Sequence, residues 1–327
     1  MLSRGKSLMT IVPARTLLPS VARSLIRLPI QHAADKYLGR TIVTKTRSIS
    51  RYYQLPAQER SKVQSALLAQ TLRDASNTRF YKDKISVSLI EKIENCADFI
   101  LDIEPTTKAD LLSDPSSFIN MSCQSSEAIY DTYTNGSTGP SANIKYDQEA
   151  ADWSSATTWF CRQHYESSLS NTTVHIASDL IDNSLPLPTR MDWMRFLATN
   201  RYNLFVGKVS TAALKKYAHD LSNININILH GHPSLCAAVA TVILNSNSVK
   251  RPTCRYFESS GETLTDDQKK KIEEAFGCQC VNRYGMAEFG IVGYQLDHKY
   301  PRLRLMEHLV KAVNYGDPGR SEVLFTS

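Results

Sequence analysis

Residues 254–288 decide the fold class, and they read CRYFESSGETLTDDQKKKIEEAFGCQCVNRYGMAE. The middle of this stretch predicts a helix, because Thr265 and Gln268 form a capping box at its start and Gly277 is a typical residue at a helix end. Strands are predicted on both sides of the helix, at Cys254–Phe257 and Cys278–Val281. A strand, a helix and a second strand joined by short connections are typical of an α/β fold with parallel strands.

The same alternation of strands and helices extends through the residues before this stretch. Asn223–Leu229 reads NININIL, a strict period of two that predicts a half-buried strand. Pro233 follows and suits the first turn of a helix, whose predicted buried stripe includes Leu235 and Val239. Other predicted elements are a helix at 212–220, capped by Ser210 or Thr211, and strands at Ile144–Tyr146, Val174–Ala177, Leu204–Val206 and Glu322–Phe325. The pattern as a whole favours a largely parallel sheet.

The region before the sheet is helical in character. Residues 51–104 are polar, and an approximate helical period predicts a buried stripe at Val63, Ala66, Leu67, Gln70 and Leu72. Pro105 interrupts the pattern. We therefore place a boundary near residue 104, between a basic and helical segment at 1–104 and an α/β core at 105–327.

Residues 1–34 are basic, and the first acidic residue of the chain is Asp35. Three interpretations are open: a mitochondrial transit peptide, a helix on an anionic membrane surface, and a plain N-terminal helix. Pro13, Pro19 and Pro29 interrupt any long helix, which weakens the first two. A cytoplasmic location, with or without peripheral membrane contact through residues 1–34, is favoured over a mitochondrial one.

The composition is that of an ordinary globular protein. The 327 residues carry a net charge of +6, from 38 Lys and Arg against 32 Asp and Glu. This mild excess suits anionic ligands but does not indicate nucleic-acid binding. Seven irregularly spaced cysteines favour reduced thiols over a zinc site. No apolar run approaches the roughly 18 residues that are needed to cross a bilayer.

Three segments carry side chains suited to nucleotide chemistry. Tyr133–Ser141, YTNGSTGPS, is a loop whose backbone N–H groups and hydroxyls can donate to phosphate oxygens. Glu258–Glu262, ESSGE, follows a predicted strand, where α/β sheets bind ligands. Asn282–Glu288, NRYGMAE, offers a flat ring for a base or ribose and a carboxylate suited to Mg²⁺. Taken singly, each segment also has a simpler interpretation. The first fits an exposed turn and the second a plain strand–helix connection. In the third, Tyr284 could be part of the core and Glu288 a solvated charge.

The order of the three segments resembles the adenylate-forming ligases, the superfamily of acyl- and aryl-CoA ligases. Within it, the likeness is greatest to the phenylacetate-CoA ligase and capsular-polysaccharide CapK branch. Shorter stretches that resemble that branch are Asn77–Tyr81, Thr107–Leu111, His230–Leu235 and Phe276–Cys278. The resemblance covers roughly residues 60–327. It implies an α/β fold like the large N-terminal domain of these ligases, preceded by a helical segment.

The resemblance also implies a role for each matching residue. Thr138 and Glu288 would be catalytic, and Glu288 would also bind the magnesium ion. The nucleotide-binding residues would be Thr134, Gly136, Ser137, Thr138, Gly139, Gly261, Glu262, Asn282, Tyr284 and Gly285. ATP and Mg²⁺ would be the cofactors, with coenzyme A as a candidate acyl acceptor. His230 or His232 is a weaker hypothesis for a residue that lines the acyl pocket.

The sequence departs from the family pattern in three places. Pro140 directly follows Gly139, and the nearest lysine is Lys145, so contacts to the phosphates are expected to differ. Ala287 stands where Thr or Ser is common, which removes a hydroxyl. After the strand that ends near Ser327, the family's ribose-binding Asp and its small C-terminal lid with a catalytic lysine have no counterpart in this sequence. Without that lysine, adenylation is expected to be slow.

The expected function is ATP-dependent activation of a small carboxylic acid as an acyl-adenylate. Transfer to coenzyme A, a carrier or a sugar would follow, the last in surface-polysaccharide synthesis, and a homodimer is compatible with this activity. The alternative is a half-ligase that binds nucleotide with little or no turnover, as a scaffold or with a lid from a partner. A more distant alternative is a nucleotidyltransferase. A pyrophosphate-release assay over a panel of carboxylates separates these functions.

Overall fold

The computed structural model describes residues 33, 35–120, 130–134, 140–167, 171–178, 201–206, 210–222, 226–246, 249–315 and 322–326. The chain divides into two compact units. The first unit comprises residues 1–39, 162–284 and 294–303, and the second comprises 40–161, 285–293 and 304–327. Residues 1–32 and 34, for which a membrane-surface helix or a transit peptide is predicted, lie outside the described residues.

Most α-helices of the described residues lie where helices were predicted, but the helix at Gln148–Gln163 was not predicted and the helix at Ile42–Gln54 begins before the predicted helical region of 51–104. They are α1 (Ile42–Gln54), α2 (Ala57–Ala75), α3 (Val87–Asn95), α4 (Lys108–Ser113), α5 (Gln148–Gln163), α6 (Thr211–Ser222), α7 (Pro233–Leu244) and α8 (Asp266–Phe276). The capping box of α8 is confirmed, since the Gln268 amide donates to Thr265 Oγ1 and the Gln268 side chain accepts from the Thr265 amide. Gly277 ends α8 in the left-handed region, with a φ of 58°. None of the helices in the described ranges is long and apolar enough to cross a membrane.

The strands form one large sheet and two hairpins. They are β1 (Tyr130–Tyr133), β2 (Asn143–Tyr146), β3 (Thr173–Ser178), β4 (Arg201–Val206), β5 (Ile228–Gly231), β6 (Tyr256–Ser259), β7 (Gln279–Met286), β8 (Gly290–Tyr294), β9 (Arg304–Leu305), β10 (Lys311–Tyr315) and β11 (Glu322–Thr326). The order in the large sheet is β4-β3-β5-β6-β7-β8-β9. Its first five strands are parallel, as the alternating sequence predicted.

The register of the parallel strands separates an apolar face from a polar face. Val174, Leu229, Phe257 and Cys280 stand side by side on β3, β5, β6 and β7 and belong to the core that α6, α7 and α8 cover. One residue further along, His175, His230 and Glu258 stand side by side. Because side chains alternate between the two faces of a strand, this polar row points away from that core.

Two predicted strands are displaced in the structure. The strand predicted at Asn223–Leu229 begins only at Ile228, and all four residues of β5 are buried, so the prediction of a half-buried strand is wrong. Residues 223–225 lie outside the described residues. The strand predicted at Cys254–Phe257 starts at Tyr256. Both strands are internal to a parallel sheet, where burial on both faces removes the alternation that usually marks a strand.

The second unit contains a helical core and the first hairpin. Leu68, Ala69 and Leu72 of α2 pack with Ile90 and Ile93 of α3. The stripe predicted for α2 is partly wrong: Leu72 is buried, but Val63 is 36% exposed and Leu67 is 46% exposed. Leucines occur on both sides of this helix, so its packing against α3 selects the buried side. Strands β1 and β2 pair antiparallel, with Tyr130 opposite Tyr146 and Tyr133 opposite Asn143.

Candidate functional site

Two of the three predicted segments lie side by side at the carboxyl end of the parallel sheet. Gly231 and Ser259, the last residues of β5 and β6, are register partners, and Ser259 is also in register with Asn282 in the middle of β7. The Ser260 amide donates to the Gly231 carbonyl at 3.1 Å and extends this contact past the strand end. The carboxyl end of a parallel sheet is where α/β proteins bind their ligands. In the first unit, the ESSGE segment and Asn282–Tyr284 therefore border one edge.

The turn after β6 is fastened to the start of α7. Glu262 accepts a hydrogen bond from the Ser234 amide at 3.2 Å, and its other oxygen lies 3.5 Å from His232 Nδ1. Partial burial would raise the pKa of Glu262, but hydrogen bonds from Ser234 and the proximity of His232 lower it. Gly261 has a φ of 83°, and a Cβ there would lie 2.5 Å from the His232 ring. The turn thus requires glycine for both backbone conformation and space.

Strand β7 holds Asn282 rigidly and leaves Tyr284 accessible. The Asn282 amide donates to Gln295 Oε1 at 3.1 Å, and its carbonyl accepts from the Gln295 amide at 2.9 Å. Tyr284 is 45% exposed, so the interpretation of this residue as part of the core is wrong. An exposed aromatic ring beside a strand end can stack against a flat ligand.

A buried ion cluster that the sequence did not indicate lies behind this edge. Glu258 is fully buried and accepts from Arg162 Nε at 2.8 Å and Nη2 at 2.6 Å, and from Arg283 Nη1 at 3.2 Å. Burial would raise the pKa of Glu258, but the attraction of both guanidinium groups outweighs it and holds the pKa below its usual value. The only hint in the sequence is a carboxylate inside the apolar strand YFES, because a buried charge requires a partner.

Two histidines complete the polar face. The His175 and His230 rings stack with their centroids 4.7 Å apart. His230 Nδ1 lies 3.2 Å from the Glu258 carbonyl, and Arg201 Nη2 lies 2.7 Å from His175 Nδ1. Burial first, and the neighbouring cations second, lower the pKa of His230 well below its usual value. His230 is therefore neutral, and its Nδ1–H donates to the Glu258 carbonyl.

The phosphate-type loop belongs to the second unit, and most of it lies outside the described residues. Gly136, Ser137, Thr138 and Gly139 are among those outside. Thr134, the last residue described before them, donates its amide to the Ala142 carbonyl at 2.9 Å, and its Oγ1 accepts from the Ala142 amide at 2.9 Å. Thr134 thus closes the hairpin of β1 and β2 directly below the loop.

The turn after β7, which carries Glu288, contacts the same hairpin within the second unit, and Gly285 precedes this turn near the end of β7. Tyr146, at the end of β2, donates its hydroxyl to the Ala287 carbonyl at 2.7 Å. Burial, and then the charge of Glu288, raise the pKa of Tyr146 to about 12. Gly290, with a φ of 73°, ends the turn where a Cβ would lie 2.8 Å from Ser154 Oγ. Glu288 is therefore close to the strand that follows the loop.

Glu288 lacks a basic partner in the part of the chain that the structure describes. A carboxylate without a protein counter-ion suits a bound cation. Within the described ranges, no group of three or more His, Cys, Asp or Glu side chains could hold a metal ion on its own. Mg²⁺ usually needs only one or two carboxylates beside substrate phosphates and water, so a single glutamate fits such an ion.

Comparisons with known proteins identify the fold. Neither a scan against protein-family models nor a search of curated protein sequences gave a match. Among solved structures, the chain is similar to 2-hydroxyisobutyryl-CoA ligase in an open conformation with 2-HIB-AMP and CoA, with a TM-score of 0.58 and 17% identity over 83% of this chain and 62% of that one. The same ligase in its thioesterification state gives a TM-score of 0.58 and 17% identity over 83% and 60% of the two chains.

A third similar structure, this ligase in its postadenylation state, gives a TM-score of 0.57 and 15% identity over 83% of this chain and 60% of that one. The chain thus spans about 60% of the length of the ligase that it matches. At this identity the likeness concerns the fold alone. The described part of the chain has the α/β fold of the large domain of an adenylate-forming ligase.

Proposed function

We propose that the protein activates a carboxylic acid with ATP to form an acyl-adenylate and pyrophosphate, and then transfers the acyl group to coenzyme A or another acceptor. One observation carries the proposal. The S-G-E turn and the N-R-Y-G segment, which the resemblance assigns to the nucleotide, end neighbouring parallel strands with Ser259 and Asn282 in register.

The residues of this edge suit a nucleoside. Tyr284 offers an accessible ring for stacking. Gly261 turns the backbone without a side chain, so that the turn can approach a flat base closely. The hydrogen bonds to Gln295 hold the Asn282 backbone, which orients its side-chain amide for the amino edge of adenine. Gly285 continues the same strand.

The residues of the second unit suit phosphates and their cation. Glu288 would hold Mg²⁺, which supplies charge neutralisation at the phosphates when it is bound. Thr134, Gly136, Ser137, Thr138 and Gly139 would surround the phosphates at the tip of the hairpin. Support comes from the position of Thr134 at the hairpin end and from the effect of Glu288 on Tyr146 at the other end of β2. Positioning and charge stabilisation provide most of the rate in such a reaction.

The acid and the acceptor are finer parts of the proposal. The resemblance to the CapK branch favours a sugar hydroxyl or amine as the acceptor in surface-polysaccharide synthesis, beside coenzyme A. The similar structures contain an acyl-AMP together with CoA, which supports coenzyme A. Measurement of acyl transfer from the adenylate to a panel of acceptors separates coenzyme A from a sugar acceptor.

The test is pyrophosphate release from Mg-ATP over a panel of small carboxylic acids. We expect Tyr284→Ala to raise KM for ATP about fivefold, because a lost aromatic stack is worth roughly 1 kcal/mol. We expect Glu288→Gln to lower kcat on the order of a hundredfold, as removal of one electrostatic group does at other sites. Tyr300→Ala, at a tyrosine that is 65% exposed, and Glu274→Gln, at an exposed glutamate on α8, are the matched controls.

Each other outcome has a meaning. Tight Mg-ATP binding without release of pyrophosphate for any acid would support the half-ligase alternative. Release that requires a nucleotidyl acceptor and no carboxylate would support a nucleotidyltransferase. Equal effects of the site variants and their controls would refute the assignment of Tyr284 and Glu288.

A further inference from the structure

Four cysteines belong to or pack against the core of the first unit, and two of them lie at the end of the sheet opposite to the candidate site. Cys236 of α7, Cys254 before β6, and Cys280 of β7 are buried in one core cluster, and Cys278 packs against it. Cys254 and Cys278 precede the first residues of β6 and β7, which places them at the amino ends of these strands. The cluster has no part in the proposed nucleotide chemistry.

Backbone geometry brings Cys254 and Cys278 together. The Cys254 amide donates to the Phe276 carbonyl at 3.1 Å, two residues before Cys278. Tyr256 and Gln279 are register partners, so Cys254 and Cys278 precede neighbouring parallel strands, two residues and one residue before this pair. The Cys278 thiol is a hydrogen-bond partner of the Cys254 thiol. Disulfides need Cα atoms roughly 4.4–6.8 Å apart, a separation that is compatible with neighbouring strands about 4.8 Å apart.

Exposure distinguishes Cys278 from the other thiols of the cluster. Cys278 is partly exposed, whereas Cys236, Cys254 and Cys280 are buried. Cys280 directs its Sγ toward the Lys269 carbonyl at 3.8 Å. A reagent in solution therefore meets Cys278 first and finds Cys254 directly behind it.

We infer that Cys254 and Cys278 form a covalent modification site, in which a small disulfide such as oxidised glutathione converts the two thiols into one intramolecular disulfide. The Cys278 thiolate attacks the reagent, forms a mixed disulfide and releases one glutathione thiol. The Cys254 thiolate then attacks the Cys278 sulfur, and the second glutathione leaves. The protein loses two protons and two electrons, and the reagent is reduced to two thiols.

The order of these steps follows from burial. Burial and the hydrogen bond to Cys278 raise the pKa of the Cys254 thiol well above its usual value. Since only the thiolate attacks, the second step limits the rate at neutral pH and accelerates as the pH rises. The disulfide joins the start of β6 to the connection between α8 and β7, and the loop that it closes contains the Glu258–Glu262 segment of the candidate site.

The test uses the whole reduced chain, incubated with oxidised glutathione, alkylated and mapped by mass spectrometry of its peptides. We expect a linked pair of peptides that contain Cys254 and Cys278, with the loss of two free thiols. Dithiothreitol should restore both thiols. A link that involves Cys236 or Cys280 instead, or glutathione retained on Cys278 beside an alkylatable Cys254, would overturn the inference.

Three variants sharpen the result. Cys254→Ser should retain glutathione on Cys278, because the resolving thiol is gone. Cys280→Ser removes a buried thiol of the same cluster and should leave the link intact. Cys96→Ser removes an exposed cysteine outside the cluster and should also leave it intact. The mapping of the unaltered chain decides the question even if a core variant fails to fold, and it does not depend on the proposed ligase activity.

Discussion

The buried ion cluster around Glu258 should make a large and measurable contribution to stability. One carboxylate oxygen accepts both hydrogen bonds from Arg162, and the other accepts the bond from Arg283. In Glu258→Gln, the remaining oxygen can keep Arg162, but the amide nitrogen then faces a guanidinium donor of Arg283. Both arginines lose their common counter-ion in a fully buried position.

The magnitude follows from these contacts. A lost hydrogen bond to a charged group is worth about 1.5–3 kcal/mol, and an unsatisfied buried group costs about 1–3 kcal/mol more. Breaking a buried ion pair by removal of one partner costs about 3–5 kcal/mol in other proteins, which agrees with that sum. We expect Glu258→Gln to lower the free energy of unfolding by about 3–5 kcal/mol at pH 7.

The pH dependence gives a second, independent readout. The pKa of Glu258 is lower in the folded chain than in the unfolded one. The stability that its charge provides is therefore complete above the unfolded pKa, about 4.3, and is lost as the pH falls through the lower folded pKa. The difference between wild type and Glu258→Gln should stay constant from about pH 8 to pH 5 and shrink only at more acidic pH.

Urea unfolding followed by circular dichroism measures both effects. Glu274→Gln, at an exposed position of α8, is the control and should change stability by less than about 0.5 kcal/mol. A loss below about 1 kcal/mol, typical of a solvent-exposed pair, would refute a buried cluster. A difference in stability between wild type and Glu258→Gln that already shrinks between neutral pH and pH 5 would also refute it.

The remaining predictions concern one buried histidine and one glycine. Burial lowers the pKa of His308 to about 3, below its unfolded value, so the unfolded chain binds the extra proton and stability falls as the pH decreases. Through His308, the free energy of unfolding of wild type should fall by about 2 kcal/mol between pH 7 and pH 5. His308→Gln should remove this contribution, whereas His298→Gln, at a half-exposed histidine, should leave it in place. Gly261→Ala should destabilise more than Gly277→Ala in thermal unfolding, because both residues have positive φ but only Gly261 faces the His232 ring. Equal losses at the two glycines would show that the ring moves away.

Features with short-range causes could be predicted from the sequence. The capping box of Thr265 and Gln268, the helix end at Gly277 and the helix start at Pro233 all occur where the sequence places them. Each depends on hydrogen bonds or backbone preferences within a few residues. The parallel α/β class followed from the same local signals, summed over successive elements.

The limits of strands and the burial of side chains could not be predicted so well. β6 begins two residues after the predicted start. Val63 and Leu67 of α2 were predicted to be buried, but the structure exposes both to solvent. Of the candidate site, the sequence named Gly261, Asn282, Tyr284 and Glu288 by resemblance, but the exposure of Tyr284 became known only from the structure. The intrinsic structural preferences of residues cannot decide which of two apolar sides of a helix or strand becomes buried, because this depends on the elements that pack against it.

What the sequence by itself determined is thus the fold class, the capped helices and the identity of the three segments. Only the tertiary structure decided the ion cluster of Arg162, Glu258 and Arg283 and the pairing of two thiols at the other end of the sheet. Arg162 and Glu258 are 96 residues apart in the chain. A charge can be buried only where a distant partner satisfies it, and sequence neighbours carry no record of which partner the fold brings near.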